Sequence, residues 1–150
     1  MGAERASQER MVLLSVAGHR FTVGIEEVRE VIPARPVTPL PGSEPFVRGL
    51  INLRGRLVTV LDLGARLNLP PAGSRPGYRV VVLSRGEQLV GLAADQVLGI
   101  VNVDPAELDS PAAALRDLGV DPGYVRGLGR EEGGIFVALD TDRIFAPVLL

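Results

Sequence analysis

The chain has 150 residues, 46% hydrophobic and 23% charged, which is a globular composition and neither a disordered nor a fibrous one. It holds no cysteine, so disulfides, thiolate chemistry and cysteine metal sites are excluded, and all 16 cationic side chains are arginine, so a Schiff-base or general-base lysine is excluded too. The net charge of −2 argues against nucleic acid, which calls for a basic face.

Residues 1–10 are polar, carry no secretory h-region and are expected as a flexible tail, with a single domain over 11–150. No apolar run approaches the length on the order of 20 residues that spans a bilayer, so no direct membrane insertion is expected, and the chain reads as cytoplasmic. Met11 to Val16 and Phe21 to Ile25 are apolar runs joined by a turn at Ala17-Gly18-His19-Arg20, a hairpin. Ile25, Val28 and Ile32 fall at helical spacing and predict one or two helical turns there. Prolines 33, 36, 39 and 41 then force an extended connection.

Phe46 to Leu53 and Arg56 to Leu63 read as a long hairpin turning at Arg54-Gly55, closed by a short helix before the Pro70 to Gly77 loop. Arg79 to Ser84, Gln88 to Ala93 and Val97 to Val103 predict three strands. Asp104-Pro-Ala-Glu107 is a helix-start signal, with a capping Asp, a Pro in the first turn and an acid at the third position. Ala112 to Leu118 predicts a short helix or ordered loop. Tyr124 to Gly129 and Ile135 to Leu139 predict a last hairpin, and a helical turn through Phe145 follows Asp140 and Asp142.

Many short strands with glycine turns and no strand–helix–strand alternation indicate an all-β barrel architecture. The chain also repeats itself. Phe46-Val47-Arg48-Gly49-Leu50 recurs as Tyr124-Val125-Arg126-Gly127-Leu128, and Leu61-Asp62 recurs at the same offset as Leu139-Asp140. Leu14-Ser15 and Val23-Gly24-Ile25 are echoed by Leu83-Ser84 and Val90-Gly91-Leu92. Two related small barrels sharing an interface core are expected, since each alone would be marginal.

Candidate chemistry is sparse. The only histidine, His19, sits by a turn and reads as a surface group; with one His and no Cys, neither a hydrolase triad nor a His-rich metal site can be assembled in the ordinary way. Asp62 and Asp140 hold equivalent positions where a strand hands over to a helical turn, so they read as helix caps, with acid–base work as the alternative. The glycines from Gly127 to Gly134 lack the Gly-Lys-Ser/Thr ending of a phosphate loop and read as a hairpin turn. Glu30, beside Val28 on the expected helical turn, and Arg54, at a hairpin tip flanked by Gly49 and Gly55, combine acid, arginine and small apolar residues as protein–protein anchors do.

These same segments resemble a known family. Gly24-Ile25-Glu26-Glu27-Val28-Arg29-Glu30-Val31-Ile32, Val37-Thr38-Pro39-Leu40-Pro41, Phe46 to Gly55 ("FVRGLINLRG") and Val60-Leu61-Asp62-Leu63 are similar, in order, to the CheW-like domain. Val90 to Val97 and Tyr124 to Gly129 match its later blocks, so the likeness runs from about Met11 to Phe145. The resemblance implies two intertwined SH3-like five-stranded barrels with a shared core. It implies a non-catalytic, cofactor-free adaptor that couples methyl-accepting chemotaxis receptors to the histidine kinase CheA, docking on the kinase's regulatory CheW-like domain and on the receptors' cytoplasmic tips, recruited to membrane-associated arrays. Carried over by position, Glu30 and Arg54 match the acid and arginine tied to kinase and receptor coupling, with Val28, Gly49 and Gly55 beside them. Val97 and Leu98 are candidates for the receptor groove. No phosphotransfer-histidine or ATP-binding segment is present, which sets the chain apart from the kinase. Two alternatives stay open: an adaptor of a non-flagellar pathway, and a small barrel that acts as an Asp62/Asp140 hydrolase or holds a small molecule.

Overall fold

The computed structural model describes residues 8–72, 76–110 and 112–149. Most of the expected tail and the middle of the Pro70 to Gly77 loop lie outside these. The described strands are β1 (Glu9–Val16), β2 (His19–Gly24), β3 (Val28–Pro33), β4 (Val47–Leu53), β5 (Arg56–Asp62), β6 (Arg79–Arg85), β7 (Gln88–Ala94), β8 (Gln96–Val103), β9 (Val125–Glu131) and β10 (Gly134–Leu139). Three short α-helices accompany them: α1 (Leu63–Arg66), α2 (Ala112–Leu118) and α3 (Thr141–Phe145).

The strands form two five-stranded sheets, ordered β8-β1-β2-β10-β9 and β3-β6-β7-β5-β4. Advancing each strand by half the set turns one order into the other, so the two sheets are equivalent and each takes strands from both halves of the chain. The exchange is made by β3, which leaves β2 to pair with β6, and by β8, which returns to pair with β1. Each sheet curls around its own core, and a bridge helps to close it: Thr38 with Leu50 in one, Asp109 with Leu128 in the other. These are the two intertwined SH3-like barrels.

Three cores explain why the strands read as unbroken apolar runs. In β1, Met11 and Leu13 face the inside of the first barrel while Val12, Leu14 and Val16 face a larger core between the barrels. In β6, Val80 and Val82 point into the second barrel and Val81 and Leu83 point to the shared core. Strands buried on both faces cannot alternate polar and apolar residues. Phe21, Phe145 and Leu14 are fully buried in the shared core, each contributing on the order of 2 kcal/mol of apolar burial.

Arg66 ties the halves together. Its guanidinium lies 4.4 Å from the ring centroids of both Phe46 and Tyr124, the repeat-equivalent aromatics. The same group donates to the Tyr124 hydroxyl at 2.8 Å and to the Ile144 and Arg143 carbonyls at 2.9 and 3.1 Å, satisfying orphan acceptors at the end of α3.

The expected helical turns over Ile25 to Ile32 are a correction. Only Ile25–Glu27 turns, as a 3-10 helix, and Val28 onward is strand β3. A bulge between Val28 and Glu30 reverses the alternation, so Val28 faces the shared core and Ile32 the second barrel's interior. Spacing that suggested one helix face in fact serves two cores. The helix start at Asp104 is likewise reduced to a 3-10 turn over Pro105–Glu107, although Asp104 does accept from the Ala106 amide at 2.9 Å. The tail's expected boundary also moves, because β1 begins at Glu9, before Met11.

Candidate functional site

The hairpin between β4 and β5 turns on Arg54 (φ 50°) and Gly55 (φ 85°). Positive φ at both central residues is the type I′ pattern, and Asn52 Oδ1 fixes the turn by accepting the Gly55 amide at 2.8 Å. Glycine or asparagine would occupy Arg54's conformation at lower cost, so the turn alone gives no reason for arginine there. Its side chain reaches β3 and forms an ion pair with Glu30. Strands β3 and β4 are the two edges of the second sheet, so the pair spans the seam. Arg54 is 73% exposed and Glu30 30%, an arrangement worth about 0–1 kcal/mol. This pair contributes little to stability and leaves a guanidinium presented to solvent.

Apolar residues extend the surface. Val28 and Val97, on the pseudo-equivalent strands β3 and β8, are half-buried and pack against the shared core. Val31 pairs with Val81 and Ile100 with Val12, so both stand on the side of their sheets that faces that core, yet they are 40% and 52% exposed. Leu98, 42% exposed, sits where the β1–β8 register shifts between Leu13 and Leu14. The shared core therefore runs out into an uncovered apolar margin on both exchanged strands.

The two flanking glycines play different parts. Gly55 has open space where a Cβ would stand and serves the turn. Gly49 is buried (φ 137°), and a Cβ there would come within 2.0 Å of the Thr38 carbonyl oxygen. It lets the Thr38–Leu50 bridge close and offers no surface itself. Val31 and Ile100 are candidates the sequence reading missed. They lie inside apolar runs with nothing to mark which members stay uncovered; their position on exchanged edge strands is what exposes them.

Asp62 and Asp140 each cap a short helix. Asp140 accepts the Arg143 amide at the start of α3. Asp62, 4% exposed, accepts the Ala65 and Ala72 amides at 3.0 Å each, and Arg48 at 3.3 Å. Both are caps, as their place between strand and helix suggested. His19 opens β2 opposite Val16, half-buried. Among the described residues no group of three or more His, Asp or Glu is placed to hold a metal, and no helix is long and apolar enough to cross a membrane.

Comparison with known proteins places the fold in a family. The CheW-like domain family matches residues 10–148. The chemotaxis protein CheW of Bacillus subtilis is 27% identical over 145 residues, covering 96% of this chain and 91% of that one. Protein FrzA of Myxococcus xanthus is 32% identical over 137 residues, covering 88% and 83%. The crystal structure of the scaffolding protein TtCheW from Thermoanaerobacter tengcongensis superposes with a TM-score of 0.81 at 24% identity, over 91% of this chain and 87% of that one. With the family matched along almost its whole length and the fold shared with a solved scaffolding protein, the chain belongs to the CheW-like domain family.

Proposed function

We propose that this chain, one domain from β1 onward, is a non-catalytic chemotaxis adaptor that couples methyl-accepting receptors to the histidine kinase CheA. The observation that carries the reading is the exposed Glu30–Arg54 pair, on an arginine whose backbone conformation is unfavourable and whose contribution to stability is small. A receptor helix tip lays apolar side chains along the margin of Val31, Leu98 and Ile100, a helix-in-groove contact. The kinase's regulatory domain engages the seam, where Arg54 and Glu30 set register by charge-assisted hydrogen bonds. Signal passes as a change in how the bound partners sit. Individual contacts are weak, and array assembly supplies affinity through multivalency. The capping roles of Asp62 and Asp140 support a reading without turnover, since each carboxylate has a structural role at a helix start.

Reconstitution of receptor clusters, CheA and the purified chain tests this, with kinase autophosphorylation as the readout. The chain is expected to raise receptor-controlled kinase activity, and folded Ile100→Asp to lose receptor control while still binding kinase. A chain that binds neither component, at concentrations where a control adaptor binds both, contradicts the proposal. Similarity to FrzA and to Protein PilI of Pseudomonas aeruginosa, relatives that carry names other than CheW, supports a second reading: the same adaptor role in a non-flagellar pathway. Substituting that pathway's kinase in the same assay separates the two.

A further inference from the structure

We propose that the pocket between the segment Arg35 to Pro39 and Tyr78 is a carboxylate site, and that its occupant is an aspartate or glutamate side chain of a partner protein. The case comes from comparing the two halves. Arg48 and Arg126 are equivalent by the repeat. Arg126 donates through both terminal nitrogens to the two oxygens of Glu9, at 3.1 and 3.3 Å, the fork geometry that suits a carboxylate. At the offset that aligns Leu14-Ser15 with Leu83-Ser84, Glu9 falls on Tyr78. In the second barrel a phenol ring therefore stands where the first has an acid.

Arg48 shows the consequence. Its guanidinium lies 5.2 Å from the Tyr78 ring centroid and touches a carboxylate through one nitrogen only, at 3.3 Å from Asp62. That carboxylate's other oxygen is committed to two backbone amides. The Nε–H of Arg48 is buried and, among the described residues, has no acceptor. Arg48 lines a pocket of about 430 Å³ together with Arg35, Pro36, Val37, Pro39 and Tyr78, so that two guanidiniums and, among the described residues, no acid stand in its wall. Two guanidiniums line the pocket, and the one carboxylate that Arg48 touches lies outside the wall and is already committed, so the site is positive. Val37 and the prolines suit the methylene stem of an acidic side chain, and the other half shows a side-chain carboxylate in the matching place. Arg35 also donates to the Asn52 carbonyl at 3.2 Å, so the pocket adjoins the Arg54 hairpin.

The test uses the full chain and two blocked pentapeptides, acetyl-Gly-Gly-Glu-Gly-Gly-amide and its Gln counterpart, with arginine Nε–H and backbone amide signals followed by NMR. Saturable shifts at Arg48, Val37 and Tyr78 are expected with the Glu peptide, at least about fivefold weaker binding with the Gln peptide, and loss of binding in Arg48→Gln. If Arg48→Gln does not fold, exposed Arg35→Gln takes its place, with weakened binding expected. Glu9→Gln is expected to add a second set of shifts at Arg126. Equal response to both peptides, or undiminished binding in the folded arginine variant, overturns the proposal. Acetate saturating the same signals at the same concentration as the Glu peptide overturns the occupant, leaving a free-anion site.

Discussion

Gly49 lies so close to Thr38 that a Cβ on it would stand 2.0 Å from the Thr38 carbonyl oxygen. The two backbones approach because Thr38 and Leu50 exchange hydrogen bonds at 2.8 Å in each direction, closing the second sheet. Gly49→Ala forces that bridge open and places a side chain at φ 137°. It is expected to destabilise the protein by on the order of 3 kcal/mol or more, read as a shifted urea midpoint. Gly55→Ala, with open space around it, is expected to cost about 1 kcal/mol, the turn conformation alone. Similar losses at the two positions would contradict the distinction drawn between them.

Arg66 makes three hydrogen bonds and two ring contacts that join equivalent parts of the halves. Arg66→Ala is expected to lose about 2–4 kcal/mol in thermal or urea unfolding. Arg66→Lys is expected to recover less than half, since an ammonium cannot match the planar fork.

Because each sheet draws strands from both halves, neither half holds a complete sheet. A fragment of residues 1–77 is expected to be unfolded by circular dichroism, and the whole chain to unfold in one cooperative transition. Phe21→Ala, in the shared core, is expected to cost about 3–5 kcal/mol while keeping that single transition. A folded fragment, or two separate transitions, would argue against the strand exchange as the source of stability.

Much of this architecture is legible in the residues. The run from Met11 to Val16 and the repeated Val-Arg-Gly-Leu motif announce strands and a duplicated barrel, because burial on both faces and a shared fold leave marks on sequence. Glu30 is where reading fails: helical spacing around it came from a bulge that rotates β3 between two cores, a tertiary effect with no local signal. Gly49 looked like part of a surface because its small size was clear while the Thr38 backbone it accommodates was not. The unmatched donor on Arg48 emerges only when both halves are compared in space.

Val31→Asp and Ile100→Asp place charge on residues 40% and 52% exposed, so each is expected to change stability by less than about 1 kcal/mol. Both are expected to abolish capture by receptor clusters in co-sedimentation. Retained capture in folded variants would move the receptor surface off β3 and β8.

The most direct measurement is titration calorimetry of the purified chain against the regulatory domain of its cognate CheA, with Glu30→Ala, Arg54→Ala and the double variant, all checked for intact folding. Micromolar or tighter binding is predicted, weakened by about 1–3 kcal/mol in each single variant while stability shifts by no more than about 1 kcal/mol. The double variant is expected to fall short of the sum, because the two side chains act as a pair. Full-strength binding by all three variants would contradict the assignment of the Glu30–Arg54 seam as the kinase-coupling surface.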